Sequence, residues 1–299
     1  MGKSRVALVK GDERYHNVRQ ALEHVARDID LAERRRVVVK PNFVSVHRQL
    51  CATHVTAVKA VLDLLKARGV TQVTLAEGAA LGTLHQGLRA YGYLPLIDEY
   101  NLNVVDLNED DSVEVEVYDR KLRPMRLPVA RTIVDSDYRI SVGPPKTHDL
   151  VIVTLSLKNM AVGSLVRGYK ARVHQNCPAI NLNLYKLASY VAPHLTVIDG
   201  FQAMEGNGPV NGQPVDWKIA IASTDFVAAD SLAAQLMGFP LEEIGYLYYC
   251  HLKGLGRGRL EEMELVGNAT VAETRRRFRP HRNYQRQLAW KIPDVERYL

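Results

Sequence analysis

The chain has 299 residues, of which 46% are hydrophobic and 24% are charged, as in ordinary globular proteins and unlike fibrous or disordered ones. The net charge of +6 at pH 7 permits an acidic small molecule or a nucleic acid as partner and selects neither. No apolar run approaches the ~20 residues of a membrane span, and no signal-peptide pattern opens the sequence. We therefore expect a cytoplasmic protein without a membrane association.

The cysteines support this expectation. Cys51, Cys177 and Cys250 lie far apart, so the sequence contains no CxxC zinc or redox motif. Their odd number argues against the disulfide framework of a secreted protein. The sequence does not indicate an oligomeric state.

Short β-rich runs alternate with amphipathic stretches of helical length, a pattern that predicts a parallel sheet with crossover helices. We predict strands at 5–9, 37–40, 73–76, 103–107, 138–142, 195–199 and 217–222. We predict helices at 18–31, 56–68, 226–237 and 244–252. The segments 113–117 and 125–129 predict an antiparallel hairpin, either a sheet edge or a flap.

The predicted fold class is therefore α/β, with a mostly parallel, Rossmann-like sheet flanked by helices, a small antiparallel hairpin and a cleft between two lobes. No Pro/Ser-rich linker interrupts the chain, which favours one α/β unit over residues 1–299. The alternative is a division near residue 140 into lobes 1–140 and 141–299.

Polar residues follow two of the predicted strands. Open α/β sheets bind ligands at the carboxyl ends of their strands, so Lys40 and Asn42 are candidate anion-binding residues. The alternative for Lys40 is a surface lysine. The next strand leads into Glu77 and Gly78, where Gly78 permits close backbone approach to an anion. Glu77 is a candidate acid, base or metal ligand, or else a helix cap.

His54 stands just ahead of a predicted helix. A residue at that position is either a ligand to an anion at the helix N-terminus or an ordinary loop residue.

The densest group of candidate residues is VGPPKTHDLVIVTLSLKNMAVG, residues 142–163. A Gly-Pro-Pro turn presents Lys146 and His148, and Lys158 and Asn159 close an apolar run. A lysine beside a buried run is expected to pair with a carboxylate or with an anionic ligand. For His148, a structural role is the alternative to a functional one.

Further cations follow within a few residues, among them Lys170 and His174. Crowded cations attract a carboxylate or phosphate and lower lysine pKa values, which suits a lysine base or a Schiff-base nucleophile. The candidate catalytic residues are Lys146, His148, Lys158 and His174, and the candidate anion-binding residues are Lys40, Asn42, His54, Gly78 and Asn159. For Lys158 we expect Glu77, Glu205 or a ligand as the partner.

Residues 206–214 consist mostly of Gly, Asn and Pro, which predicts a loop without helix or strand. Asp199 ends the strand before it and Glu205 stands at its mouth. These carboxylates, with Glu77, are candidate ligands for a divalent metal such as Mg²⁺ or Ca²⁺. The alternative is a solvated loop with turn-stabilising acids.

Arginines crowd the segment 275–286. We expect a solvated terminal helix there, with a phosphate-binding face as the alternative. A nucleic-acid partner is not expected, because the sequence shows no helix-turn-helix, RRM or zinc-finger signature.

Several separate blocks follow one another along the chain: VVVKPN, ATH, AEG, GPPKTH, LSLKNM, the loop from Asp199-Gly200 to Gly212, DFVAADSLAAQLMG and GLGRG. Together they resemble the family named "domain of unknown function 362", from about Val37 to about Gly267. Many members of that family carry a ferredoxin-like cysteine motif for iron–sulfur clusters. This sequence lacks that motif, so an iron–sulfur cluster is not expected here.

Thr53 and His54, with the general abundance of lysine and histidine, are also similar to the lactate racemase family. By analogy, that similarity implies proton transfer at a carbon beside a carboxylate. Two functions stay open: an enzyme that acts on an anionic carboxylate or phosphate, or a non-catalytic binder of an anionic metabolite, metal or cofactor.

Overall fold

The computed structural model describes residues 2–299. Its strands are distributed along the chain from the first residues to the last quarter. The strands are β1 (Ser4–Lys10), β2 (Val37–Lys40), β3 (Val73–Glu77), β4 (Asn103–Asp106), β5 (Ser112–Tyr118), β6 (Pro124–Ala130), β7 (Tyr138–Gly143), β8 (Lys146–Thr147), β9 (Val153–Thr154), β10 (Leu195–Glu205), β11 (Gln213–Ser223) and β12 (Met263–Val266).

Helices fill the connections between these strands. They are α1 (Arg14–His24), α2 (Val55–Ala67), α3 (Leu84–Ala90), α4 (Leu94–Glu99), α5 (Arg131–Val134), α6 (Ser156–Gly163), α7 (Cys177–Val191), α8 (Phe226–Leu236), α9 (Gly245–Leu252), α10 (Val271–Thr274) and α11 (Tyr284–Gln287). Single 3₁₀ turns are formed by Ala26–Asp28, Gln49–Cys51, Leu241–Glu243, Leu260–Glu262 and Val295–Arg297.

The central sheet has the strand order β12-β1-β11-β10-β7-β2-β3-β4, and β8 and β9 extend it from β10. Along this order only β11 runs antiparallel to its neighbours. The predicted α/β class with a mostly parallel sheet is therefore confirmed. Strands from both sides of residue 140 pair within this one sheet, and the division into lobes near that residue stays a prediction.

The sheet is covered on both faces, which explains its apolar strands. Val37 and Val39 belong to one buried apolar cluster, whereas Val38 belongs to the other. Successive side chains of a strand point to opposite faces, so both faces of β2 are packed. The first cluster continues into α1 and α2, and the second continues into α7, α8 and α9. Because the parallel strands run in one direction, their carboxyl ends lie at one common edge of the sheet, where loops can form a site.

The predicted hairpin forms from β5 and β6, but it is a separate two-stranded sheet rather than an edge of the central sheet. Its alternate residues Val115, Val117, Leu127 and Val129 are buried in the core. The hairpin is therefore packed against the body of the protein, which makes the expectation of a sheet edge or free flap wrong.

Two further expectations are corrected. Strands β10 and β11 pair as far as Glu205 and Gln213, so the loop spans only 206–212 and Asp199 lies within a strand. The arginine-rich residues 275–283 form no helix, because their backbone bonds to the end of α8 instead. The Arg276 N–H donates to the Leu236 carbonyl (2.7 Å) and the Phe278 N–H to the Met237 carbonyl (2.9 Å).

No helix within residues 2–299 combines the length and the apolar composition needed to cross a bilayer.

Candidate functional site

A cavity of about 270 Å³ lies at the carboxyl ends of β2 and β3. Asn42 follows β2, and Glu77 is the last residue of β3. Helix α6 contributes Lys158 and Asn159 to the lining, and His148 and His174 approach from loops on either side of that helix. The structure thus brings together many of the residues singled out in the sequence, at the edge where open α/β sheets bind ligands.

A buried ion pair stands beneath the cavity. The Lys40 ammonium donates to the Glu77 carboxylate, and both side chains are almost wholly inaccessible to solvent. The second oxygen of Glu77 accepts the Phe43 backbone N–H at 3.3 Å. Burial lowers the pKa of Lys40, and the Glu77 charge opposes that change. Lys40 is therefore held by the protein and does not face a ligand directly.

Two asparagines extend this network. The Asn159 side-chain oxygen accepts from Lys40 Nζ (3.0 Å) and from Asn42 Nδ2 (2.9 Å). The Lys146 ammonium donates to Asn42 Oδ1 and, at 3.1 Å, to the Cys51 carbonyl. Burial lowers the pKa of Lys146 to about 7, and the neighbouring Lys158 and Lys40 charges act in the same direction. Lys146 is thus a supporting residue behind the cavity.

Lys158 differs from both of these lysines. Its side chain is buried, with 7% of the residue exposed, yet no residue between 2 and 299 forms a hydrogen bond or ion pair with its ammonium. Burial lowers its pKa to about 8, and the charge of Asp149 offsets part of this change. The expected partners are engaged elsewhere, Glu77 by Lys40 and Glu205 by Arg279. Of the partners expected for Lys158, neither Glu77 nor Glu205 pairs with it, and an anionic ligand stays a prediction.

The two histidine rings lie next to each other, with centroids 5.8 Å apart and planes at 17°. His174 Nδ1 donates to the Lys170 carbonyl (2.6 Å), so the neutral ring keeps a lone pair on Nε2. His148 Nδ1 lies 3.0 Å from both the Leu150 N–H and Asp149 Oδ1. Burial, reinforced by the Lys158 charge, lowers the pKa of His174 to about 4 and that of His148 to about 3.

Two glycines give the lysines room. A methyl group on Gly163 would lie 2.3 Å from Lys40 Nζ, and one on Gly78 would lie 2.9 Å from Lys170 Nζ. Neither distance is tolerated between nonbonded atoms. Gly78 therefore serves close packing of a lysine, rather than only the approach of an anion.

Sequence reasoning missed Thr154 as a lining residue. Its hydroxyl is buried and has no hydrogen-bond partner within the described residues. The available signal was its position as one of two polar residues in the apolar run 150–157. The loop predicted at 206–214 spans residues 206–212 in the structure. It contributes Pro209 to the lining and is fixed by Arg48, whose guanidinium donates to the Gly212 carbonyl (2.7 Å).

His54 and Asp199 lie elsewhere, beside a second cavity of about 350 Å³. His54 caps α2 by accepting the Thr56 N–H (3.2 Å), and burial lowers its pKa to about 4. Asp199 pairs with Arg14 at 3.1 Å. They contribute nothing to the lining of the Lys158 cavity.

The three candidate metal ligands are likewise separated. Glu77 pairs with Lys40, Asp199 with Arg14, and Glu205 accepts the Arg279 N–H at 2.9 Å. Over residues 2–299, no group of three or more His, Cys, Asp and Glu side chains is placed to hold a metal ion. These carboxylates do not fit the divalent-metal site that the sequence suggested.

The family model "Domain of unknown function (DUF362)" matches residues 37–235, more than half of the chain. The chain belongs to this family. The DUF362 match includes all residues of the Lys158 cavity and excludes β1, β12 and the arginine-rich segment.

An individual relative supports the same assignment. A thylakoid-associated protein of Synechocystis sp. is 25% identical over 213 residues, which cover 68% of this chain and 63% of that protein. The match therefore spans less than two thirds of the relative's length.

Two solved structures share the fold. The lactate racemase apoprotein of Thermoanaerobacterium thermosaccharolyticum has a TM-score of 0.54 at 13% identity, covering 79% of this chain and 57% of that one. A structural-genomics protein of Thermotoga maritima has a TM-score of 0.51 at 14% identity, with coverages of 76% and 60%. At such identities the likeness concerns the fold alone.

Proposed function

We propose that this protein is an enzyme that acts on a small anion, a carboxylate or a phosphate, by lysine and histidine acid–base chemistry. The observation that carries the proposal is Lys158, a buried residue at the cavity whose ammonium forms no hydrogen bond or ion pair with the described residues. An isolated buried charge is costly. A bound anion supplies the missing partner, so the site is suited to a negatively charged ligand.

The histidines supply the proposed chemistry. His174 is neutral at pH 7 and keeps a lone pair on Nε2, which can accept a proton from a bound molecule. His148 stacks on it and is the second proton carrier. Removal of a proton at one position and its return at another is the chemistry of an isomerase, and removal of a proton with departure of a leaving group from the adjacent carbon is that of a lyase. The structural likeness to a lactate racemase apoprotein is in line with this reaction class, as an analogy of fold.

One observation favours a non-catalytic binder as the second candidate. The pKa values of about 3 and about 4 for His148 and His174 make both rings weak bases near pH 7. A bound anion acts in the opposite direction, because a nearby negative charge raises a histidine pKa. Catalysis therefore requires that ligand binding itself raise these pKa values.

Solvent deuterium exchange separates the two candidates. Small carboxylates and phosphates are incubated with the protein in D₂O, and deuterium at carbon is measured by mass spectrometry. Incorporation that is lost in His174→Asn and retained in the distant His54→Asn supports the enzyme. Ligand binding detected by calorimetry without any incorporation supports the binder instead.

The variant Lys158→Met tests what both candidates share. It keeps an apolar stem and removes the charge, so anion binding should fall steeply while unfolding stays cooperative. Mass spectrometry of molecules that copurify with the wild type and are missing from Lys158→Met gives a direct readout. Equal anion binding by both proteins would overturn the proposal.

A further inference from the structure

We infer that the ligand of the Lys158 cavity is a small monocarboxylate with an apolar body, and that its carboxylate is held by Lys158 and Thr154. This inference rests on the proposed function, because it assumes that the cavity takes an anion. It goes further by choosing between carboxylate and phosphate and by assigning a role to Thr154.

Only some of the hydrogen-bond donors at the cavity are engaged by the protein itself. Lys170 Nζ also borders the cavity, but it donates to Asn108 Oδ1 (2.8 Å) and to the Leu165 carbonyl. The Thr154 hydroxyl is buried without a partner among residues 2–299, and no hydrogen bond or ion pair of those residues involves Lys158 Nζ. Two unengaged donors match the two oxygens of a carboxylate.

A phosphate needs donors of a kind that this cavity does not offer. Phosphate sites use arginine forks or the backbone N–H groups of a helix N-terminus. No arginine is among the described residues that line the cavity. The N-terminus of α6 is also occupied, because Asp230 accepts the Ser156 and Leu157 N–H groups at 2.9 Å each. A phosphate would therefore find neither an arginine fork nor a free helix N-terminus at this cavity.

The Thr154 hydroxyl is the second group that a ligand can satisfy. A buried hydroxyl without a hydrogen-bond partner destabilises a protein unless a ligand or water supplies that partner. Thr154 is 3% exposed, lies four residues before Lys158 and borders the same cavity. An anion held by Lys158 can accept from this hydroxyl, so a single ligand would satisfy both groups.

The lining and the volume of the cavity indicate the size and polarity of the rest of the ligand. Much of the remaining lining is apolar and includes Phe43, Val44, Val162 and Pro209. The cavity of about 270 Å³ equals the volume of roughly nine water molecules, at about 30 Å³ each. This volume fits a ligand of roughly ten non-hydrogen atoms, with a hydrocarbon group against the apolar wall.

The test compares carboxylates with phosphonates that carry the same hydrocarbon group. Butanoate, hexanoate and benzoate are titrated calorimetrically against the wild type and against Thr154→Val, Thr154→Ser and Lys158→Met. Thr154→Val should weaken carboxylate binding by about 10-fold or more, since a hydrogen bond to a charged group is lost. Thr154→Ser should restore most of the affinity.

The chain offers a matched control. The Ser231 hydroxyl is also buried and unpartnered within residues 2–299, but Ser231 does not border the cavity. Ser231→Ala should bind carboxylates as the wild type does. Thermal unfolding of the ligand-free variants establishes that Thr154→Val folds, because exchange of an unsatisfied hydroxyl for a methyl group of the same shape is neutral or stabilising.

The outcomes separate the inference from the proposed function. Phosphonates binding more tightly than carboxylates, or Thr154→Val binding like the wild type while Lys158→Met does not, would overturn the inference and leave the proposed function standing. Binding of neither class by the wild type would overturn both. Carboxylate binding that depends on both Lys158 and the Thr154 hydroxyl supports both.

Discussion

The Lys40 ammonium and the Glu77 carboxylate form an ion pair that joins the carboxyl ends of two adjacent parallel strands, β2 and β3. Both side chains are excluded from solvent, and Asn159 adds a hydrogen bond from α6 to the same ammonium (3.0 Å). The floor of the cavity therefore depends on a charge pair rather than on apolar packing alone.

Removal of one member of this pair should be far more harmful than removal of both. Lys40→Met leaves the Glu77 carboxylate buried without its counter-charge, and we expect a loss of about 3 to 5 kcal/mol in the free energy of unfolding. The double variant Lys40→Met/Glu77→Leu should recover most of that loss. Urea denaturation of the three proteins measures these differences, and equal stability of the single and double variants would contradict the prediction.

Gly163 should tolerate no side chain, although it lies in a helix, where alanine is usually favoured. The added methyl would lie 2.3 Å from Lys40 Nζ and 2.5 Å from its Cε, and Lys40 is held in place by Glu77 and Asn159. We expect Gly163→Ala to destabilise the protein by about 1 to 3 kcal/mol.

Gly143→Ala is the matched control for this overpacking. A methyl group there would meet its nearest neighbour, Asn42 Cβ, at 3.6 Å, which is an ordinary contact. Thermal unfolding of both variants should show a clear loss for Gly163→Ala and a small change for Gly143→Ala. A similar change in both would show that Lys40 can move aside.

Asp230 should act on the cavity through α6 without touching a ligand. Its two carboxylate oxygens accept the N–H groups of Ser156 and Leu157, which fixes the start of the helix that carries Lys158. Asp230→Asn retains one acceptor and should cost about 1 to 3 kcal/mol, because one buried N–H loses its partner. Burial raises the pKa of Asp230 to about 7, so removal of its charge adds little to that cost.

A readout on the ligand distinguishes this positioning role from a purely structural one. Asp230→Asn should weaken carboxylate binding in calorimetry even at temperatures where the variant is fully folded. Unchanged affinity in a folded variant would mean that α6 keeps its place without this bond.

The stability of the protein should depend on pH through His174. Burial lowers its pKa from 6.5 to about 4, so between these values the unfolded chain takes up a proton that the folded protein does not. The associated stability is complete above about pH 6.5 and is lost as the pH falls toward 4, by up to about 3 kcal/mol. Urea denaturation at several pH values should give a shallower dependence for His174→Asn, and parallel curves would refute it.

The strands of the parallel sheet could be predicted closely from the sequence. The predicted strand at 73–76 is Val73–Glu77, and the one at 103–107 is Asn103–Asp106. Strands buried on both faces are short, continuous apolar runs bounded by turn residues, which makes them easy to recognise. The helix predicted at 56–68 is Val55–Ala67 for the complementary reason, a clear apolar face.

Two of the buried helices, α6 and α7, were not predicted from the sequence, although the equally buried α8 was. Helix α7, Cys177–Val191, is buried on most of its circumference, and residues 156–161 of α6 are all buried. A helix without a solvent face has no amphipathic period to detect. The one usable signal for α7 was Asn176, whose side chain caps the helix by accepting the Ala179 N–H (2.8 Å), followed by a proline in the first turn.

The candidate site shows the same limit at the level of pairing. Strand ends placed Lys40, Asn42 and Glu77 correctly near one edge, because parallel strands share a direction. Which carboxylate meets which lysine depends on packing between elements far apart in the chain. For that reason the sequence left Glu77 and Glu205 open as partners of Lys158, whereas the structure engages them with Lys40 and Arg279.

The pairing of β1 with β11 has a consequence for how the chain is made. The Ser223 hydroxyl donates to the Arg5 carbonyl across 218 positions of sequence, and β1 has no neighbour in the sheet other than β11 and β12. While the ribosome synthesises the chain, the apolar strand β1 therefore cannot pair until most of the protein, including β11, has been made. During that interval its apolar side chains and its backbone hydrogen-bonding groups are exposed. We therefore expect nascent chains truncated before β11 to bind a chaperone or to aggregate.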